Sequence, residues 1–528
     1  MDIDIKVNEL SPSEFKIVGT YAGSLIDDLS TAFSVANVGA FFAKQYGFKM
    51  PLKIFGVSPF GTFKHGLIFE VLKYLHANYA NINITMTDQV KRIITSRLPL
   101  RKFASSDDYT GPKCISDKIE LRPYQYDIID SIITKGYGRC MFECPTGSGK
   151  SFIIANLIYT LQQEYNKDLR TLLFLPNAQL VKQFYKDLID YGFSKDSVIE
   201  FSANSYRKLG KNEIYDKQIV IANRQFLFNH GHEIGDFDAV IIDEVHSASV
   251  ATSQTAKFLE ALTAPIKIGC SGTIPTDKAK YWTLLHLTGP VVYKESITHL
   301  QDEGYLANVK FVSVKVTDYI VENDRDLLFN LHPRVKYSPE GDSLIAFSEP
   351  YAAETEYMSQ HCMDLYSPIL TNPKIQFAKD ENTLILFDRI EFGKALFEYL
   401  KSIKFNDAQI YYIDGSVPID EREKIRSLCE TSQNVIIVAQ VAVMSTGINI
   451  KNLANLVMTG SSKSQSRTIQ SIGRTLRLHG SKSHATIWDI VFNYKYSDKH
   501  YTERKNLYKK YYDKSRPDET IKIEIGKD

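Results

Sequence analysis

The segment CPTGSGKS, Cys144 to Ser151, has the residue types and spacing of a loop that wraps a phosphate. It lies between a strand-like MFE and a helical FIIANLIYTL. A strand, a glycine turn and a helix N-terminus together aim backbone N–H groups at an anion. Gly147 and Gly149 let the backbone come close, and Pro145, Thr146 and Ser148 complete the loop. Lys150 is expected to reach the β- and γ-phosphates, and Ser151 to hold Mg2+. The strict pattern wants Gly where this chain has Cys144. A second segment, IIDEVHSA, carries two adjacent carboxylates. Asp243 and Glu244 follow an apolar strand at its carboxyl end, where open parallel sheets bind ligands. Asp243 is expected to bind Mg2+, and Glu244 to orient and deprotonate an attacking water, because phosphoryl transfer needs mainly positioning and charge neutralisation. Upstream, LRPYQ brings Gln125 about one helix before the loop. Its amide suits the N6 and N7 edge of adenine, which would select ATP. Arg122 or Tyr124 could stack on the base or simply pack. Far downstream, Gln470, Arg474 and Arg477 of QSIGRTLR stand at i, i+4 and i+7, one helical face. Two guanidiniums and an amide on one face suit a triphosphate presented by another domain, a role that can be worth roughly 10³–10⁵ in rate.

These residues need a frame that holds strand ends together. From about residue 114, dense apolar runs alternate with helical segments: GRCMFEC, RTLLFLP, KQIVIAN, DAVIID and PIKIGCS. Runs without alternation are what strands buried on both faces of a parallel sheet look like. A second set follows: NTLILF, AQIYYID, NVIIVA, LANLVMT and HATIWDI. The fold class read from this is α/β, with two tandem parallel-sheet domains. A small α+β N-terminal domain precedes them and a basic helical C-terminal tail follows. The expected boundaries are 1–112, 113–305, 306–490 and 491–528. In the first, NINITM alternates like a half-buried strand and GLIFEVLKYLHANY has one apolar helical face. Residues 104–113 read as a linker. Residues 320–375 fit neither strand set and read as a mostly helical elaboration.

Composition bounds the partners. The chain has 528 residues, 44% hydrophobic and 24% charged, with a formal net charge of +1. That is the ordinary globular range, so any nucleic-acid affinity must come from local basic surfaces. MDIDIKVNEL is acidic and does not read as a signal peptide. No apolar run suggests a membrane span. Six cysteines without a CxxC pair suggest a reduced, cytoplasmic chain with buried thiols. HGHE, His230 to Glu233, lacks helical i, i+4 histidine spacing and is not read as a metal site.

In this order the motifs resemble those of superfamily 2 DExH-box helicases across residues 121–480, which implies that the two tandem parallel-sheet domains are RecA-like. LPNAQLVKQF, with Pro176, Gln179 and Gln183, resembles motif Ia. CSGTIP, with Ser271 and Thr273, resembles motif III; LILFDR resembles motif IV; MSTGINI resembles motif V. The resemblance implies that Gln179, Ser271, Thr273, Thr446 and Gly447 couple an ATP cleft to a nucleic-acid track. His246 has either that role or a structural one. Family members often carry Asp where this chain has Asn449. Lys150 and Arg477 would sit on different domains, so ATP should close a cleft and hydrolysis should release it. KIFGVSPFGTFKHGLIFEVLKYL and IQSIGRTLRLHGSKSHATIWDI are similar to the phage UvsW-type recombination helicases. That likeness implies a monomeric DNA-dependent ATPase, acting in the host cytoplasm on branched or forked duplex and single strands. It implies branch migration and the removal of D-loops or R-loops. An RNA helicase, or the translocase module of a larger assembly, stays open as an alternative.

The local evidence for nucleic acid lies in residues 494–516, where eight basic residues face three acidic ones among tyrosines. Lys509 and Lys510 are candidate phosphate contacts, and the tyrosines could stack on bases. The alternative is a C-terminal helix docked by its tyrosines. The N-terminal unit, with Lys53, Lys64, His65, Lys91 and Arg92, either recognises the duplex or caps the motor.

Overall fold

The computed structural model describes the chain apart from residues 1–2, 12, 21–23, 38–39, 41–49, 203–215, 232–234, 324–332, 338–343, 349, 376–379, 445–449, 451, 460–471, 474–483, 514–515 and 527–528. It divides into two compact units, residues 1–144 with 149–294, and 145–148 with 295–528.

The first unit holds two sheets. Strands β1 (Ile3–Ser11), β2 (Glu14–Thr20), β5 (Thr62–Lys64) and β6 (Ile82–Met86) form a four-stranded sheet in the order β5-β2-β1-β6. The short strands β3 (Ser34–Ala36) and β4 (Lys53–Phe55) pair separately. Alternation in β1 and β2 sends Ile5, Val7, Phe15 and Ile17 inward, where Val71 and Leu75 of the helix Ile68–Asn78 meet them. The larger sheet contains β7 (Arg139–Glu143), β8 (Thr171–Leu175), β9 (Val198–Phe201), β10 (Ile219–Asn223), β11 (Ala239–Asp243), β12 (Ile266–Ser271) and β13 (Val291–Lys294). All its pairs are parallel, in the order β13-β7-β12-β11-β8-β10-β9. Strands β8, β10, β11 and β12 are buried at every residue, as unalternating apolar runs require. The five expected strands form; β9 and β13 join them. Side chains set the helix starts. Asn177, Asn223, Ser253 and Asp277 each accept a first-turn N–H as caps.

The second unit is a seven-stranded parallel sheet of β14 (Asn308–Asp318), β17 (Thr383–Phe387), β18 (Gln409–Ile413), β19 (Val435–Gln440), β20 (Asn455–Met458), β21 (His484–Phe492) and β22 (Glu519–Ile525). Its order is β18-β19-β17-β20-β21-β14-β22. Between β14 and β17, residues 350–370 are helical as expected. Residues 333–348 instead carry an antiparallel pair, β15 (Pro333–Tyr337) with β16 (Leu344–Ser348).

Residues 491–528 contain the expected helix, Lys495–Tyr512, and then β22, which pairs with β14. The helix is docked rather than free. Tyr501, Tyr508 and Tyr512 are buried, so their rings are not open platforms for bases. Arg504 is 1% exposed and bonds both oxygens of Asp489, at 3.0 and 2.6 Å, with the Tyr508 hydroxyl donating to the same carboxylate. It is therefore removed from the set of phosphate-binding cations. Glu354 receives the Tyr496 and Ser497 N–H groups at the helix start, and burial pushes its carboxyl up to about 7. Lys509 and Lys510 stay exposed in the last turn. Five cysteines are buried, but Cys114 is exposed, contrary to the uniform expectation. Among the described residues no helix is long and apolar enough to cross a membrane.

Arg504→Met would leave the Asp489 charge buried without its partner. The expected cost is about 3–5 kcal/mol. Trp282 and Trp488 are the two tryptophans, one in each unit. Urea unfolding followed by Trp488 fluorescence in a Trp282→Phe background should show the loss; an unmoved midpoint would rule out a net contribution from the pair.

Candidate functional site

Parallel register assembles the site from three strand ends. β11 runs beside β12 with Asp243 opposite Cys270, and β12 runs beside β7 with Ser271 opposite Glu143. The chain leaves β7 through Cys144, whose N–H donates to Ser271 O at 3.0 Å. The phosphate-loop segment follows. Gly147 and Gly149 sit at φ +93° and +81°, the left-handed region that glycine enters without strain. Ser148 is fully buried and its hydroxyl donates to Pro145 O at 2.7 Å, which closes the turn. Thr146 is half-buried. The helix Lys150–Thr160 starts directly after Gly149 and is buried at every residue from Phe152 to Ile158. A helix buried all round is held rigidly, and so its N-terminus is a fixed anion seat.

Lys150 Nζ donates to Cys144 O at 3.1 Å across the loop and lies in the field of both acidic residues. Asp243 is 7% exposed. Burial and the neighbouring Glu244 raise its carboxyl, while Lys150, the Cys270 thiol and the Glu244 N–H oppose the rise. Burial would also raise Glu244. The His246 ring, the Lys150 ammonium and the Ser271 hydroxyl more than offset it and hold Glu244 below its ordinary value. The two adjacent carboxylates are thus pushed apart in acidity, the usual sign of divided roles. At Glu244 the backbone turns left-handed, φ +50°. A non-glycine residue there costs of order 1–2 kcal/mol and ends the strand at the reactive position.

Ser271 is the hub. Its Oγ lies 2.8 Å from His246 Nδ1, 3.2 Å from Glu244 Oε2 and 2.9 Å from Thr273 O, and the Thr273 N–H donates to it at 3.1 Å. His246 Nδ1 also lies 3.2 Å from Glu244 Oε2. Thr273 is buried. The structure therefore brings Lys150, Asp243, Glu244, His246, Ser271 and Thr273 into one network. A buried carboxylate destabilised by its neighbour is what a hard divalent cation relieves, so Asp243 and its oxygen chemistry fit Mg2+. Ser151 Oγ meets Tyr191 Oη at 3.1 Å.

Gln125 is buried, and its Oε1 accepts the Arg122 N–H at 3.1 Å as part of a capping box. A Cβ at Gly149 would stand 2.8 Å from Gln125 Nε2, which sets the amide against the loop. Tyr124 is 2% exposed and is a core side chain rather than a base platform. Arg122 is half-buried and donates to the Tyr124 hydroxyl at 3.3 Å. Gln179 is half-buried in the first turn of the helix Ala178–Tyr191. Gln470, Arg474, Arg477, Thr446 and Gly447 lie outside the described residues, as do His232 and Glu233. His230 stacks on Phe226 at 4.5 Å. Sequence reasoning missed Tyr191 and Cys270. The strand register gives Cys270 away; nothing in the local pattern marks Tyr191.

Residues 118–276 match the family model of the type III restriction enzyme res subunit, and residues 366–479 that of the helicase conserved C-terminal domain. The chain is 26% identical to the ATP-dependent DNA helicase uvsW of Enterobacteria phage T4, over 72% of this chain and 70% of that one. It is 24% identical to the DNA 3'-5' translocase XPB2 of Sulfurisphaera tokodaii, over 69% of this chain and 80% of that one. A fragment of a putative HsdR subunit of a type I restriction enzyme from Vibrio vulnificus shares the fold, with a TM-score of 0.54 at 16% identity, covering 84% of this chain and 75% of that one.

Ser271→Ala removes a bond to Glu244 and the hydroxyl that faces His246. We expect ATP turnover to fall about tenfold, the equivalent of about 1.4 kcal/mol, with the ATP KM nearly unchanged. If Glu244 acts as the ionised base, activity should fade as pH falls through its pKa. Losing a bond that lowers this pKa should move the acid limb of the kcat profile to higher pH. A limb that stays put would mean Ser271 does not tune Glu244.

Proposed function

We propose that this chain, a superfamily 2 helicase resembling the UvsW-type enzymes, is an ATP-driven motor that remodels branched DNA. The observation that carries the reading is the network of Lys150, Asp243, Glu244 and Ser271 at the strand ends, with Asp243 and Ser271 buried. Lys150 and the backbone of residues 145–149 bind and orient the phosphates. Asp243, with Ser151, would hold Mg2+, which neutralises charge on the phosphates when bound. Glu244, kept ionised by His246 and Ser271, takes the proton of the attacking water. By the family resemblance, Gln470, Arg474 and Arg477 are assigned to the triphosphate and Thr446 and Gly447 to coupling; all five lie outside the described residues. Gln125 and Arg122 read the base.

The reading for DNA rests on sequence likeness to proteins described as a DNA helicase and a DNA translocase. Exposed Lys495, Lys499, Lys509 and Lys510 support it as phosphate contacts on the outer face of the C-terminal helix. Branch migration and fork or Holliday-junction processing are the proposed activities, carried out by a monomer. ATPase measured with single-stranded DNA, linear duplex, a four-way junction and RNA tests this. Strongest stimulation by the junction supports the reading; strongest stimulation by RNA replaces it with an RNA helicase.

Lys150→Ala and Glu244→Gln should each lower kcat by on the order of 10²–10³ or more, with DNA affinity unchanged in gel shift. Normal turnover in either variant would remove the assigned site. Replacing Lys509 and Lys510 by Ala should flatten the dependence of DNA affinity on salt by about 0.9 for each phosphate no longer neutralised. An unchanged slope would make the lysines bystanders.

A further inference from the structure

Ser271 is followed, after a short loop, by the helix Lys278–Leu287. This helix is apolar on opposite faces. Leu284 and Leu287 belong to the core of the larger sheet, while Leu285 packs into the core of the N-terminal sheet together with Trp282. Tyr281 touches both cores. The element that directly follows the Ser271 and Thr273 loop is therefore clamped between two sheets of the first unit.

The N-terminal side of the clamp is unusually close and unusually charged. A Cβ at Gly66 would stand 2.3 Å from His286 Cα, so only glycine permits this backbone approach. Trp282 stacks on Phe33 at 5.9 Å. At the helix C-terminus, Arg97 is 5% exposed and donates to Leu285 O at 3.2 Å and His286 O at 3.1 Å. Its other terminal nitrogen lies 3.0 Å from His65 Nδ1. The His65 and His286 rings meet at 4.7 Å, and His286 Nε2 lies 3.1 Å from Glu260, which also binds Lys64 at 3.0 Å. Among the described residues Arg97 has no carboxylate within ion-pairing distance. Its charge is met by the carbonyls of a helix end, where the dipole is negative.

A buried guanidinium without a counter-ion is costly. Apolar packing alone would have docked the N-terminal unit at lower cost. What the guanidinium adds is direction: the two N–H groups of one of its nitrogens fix where the last turn of the helix sits along its axis.

We propose that Arg97 is a positioning residue for ATP hydrolysis. It holds the C-terminal end of the Lys278–Leu287 helix, and through that rigid helix it sets the loop after Ser271, whose Thr273 bonds the Ser271 hydroxyl, and so the seat of Glu244. The N-terminal unit is then a working part of the ATPase, and a load on it is felt at the hydrolytic carboxylate. The inference rests on the reading of Glu244 as the residue that activates water.

The test uses the full chain with Arg97→Met and Arg97→Lys, with kcat expressed per site titrated by a fluorescent ADP analogue. In Arg97→Met, DNA-stimulated kcat per site should drop about tenfold, while the ATP KM and ADP affinity change less than twofold. Arg97→Lys, which keeps one donor direction, should recover part of the loss. Trp282 emission in a Trp488→Phe background reports whether the clamp is still closed. Unchanged kcat per site in a folded Arg97→Met overturns the proposal, as does a loss confined to the number of active sites. If Arg97→Met does not fold, wild-type kcat per site in Arg97→Lys overturns it. Glu244→Gln separates the two layers. Full turnover in that variant sinks the reading of the site itself, whereas a dead Glu244→Gln beside a fully active Arg97→Met sinks only the clamp.

Discussion

Two carboxylates on consecutive residues at the end of one strand, Asp243 buried and Glu244 half-buried, form the constraint around which the first unit is organised. Left to themselves, Asp243 and Glu244 would compete for a single proton, because like charges at close range in a poorly solvated site cannot both persist. The surrounding structure resolves this asymmetrically. Ser271 and His246 converge on Glu244, a thiol and a backbone N–H face Asp243, and Lys150 lies in the field of both. That division needs β7, β11 and β12 to end at the same level, which parallel register achieves. The sheet is thus less a scaffold with a site attached than the device that aligns three strand ends.

The second unit solves a different problem, how to keep a strongly basic helix folded against a sheet. It uses buried acids. Asp489 takes Arg504 and Tyr508, Glu354 takes the first N–H groups of the helix, and Asp318 takes the Tyr494 hydroxyl at 2.6 Å. With one arginine and three tyrosines turned inward, the lysines are left on the outside. Docking and basic display are two faces of the same helix, so the two readings considered from sequence are compatible rather than opposed.

Much of this was legible in the sequence. Unalternating apolar runs marked ten of the fourteen strands in the two large sheets, because burial on both faces leaves no room for polar residues. The loop at Cys144 to Ser151 and the acidic pair were legible because phosphate chemistry admits few residue types there. Edge strands were harder. β22 alternates Ile521, Ile523 and Ile525 with polar residues, a weaker signal that the nearby charge obscured. The pairing of Tyr191 with Ser151 and the burial of Arg97 depend on contacts between residues far apart in sequence, 40 positions in one case and 188 in the other. No local pattern encodes such distances. Tyr124 was open between stacking and packing, and only its burial decided the matter.

The strand order of the second sheet has a temporal side. β14 is the first strand of that unit to be synthesised, yet both its neighbours, β21 and β22, come from the far end of the chain. At about 5–20 residues per second, β14 waits on the order of ten to thirty seconds before a partner leaves the ribosome. During that interval its eleven residues, with apolar Phe311, Val312, Val314 and Val316, lack the neighbours that cover both edges in the folded sheet. Such a segment is where premature association would begin. Lys310 and Lys315, spaced along it, are the charges that discourage it until β21 arrives.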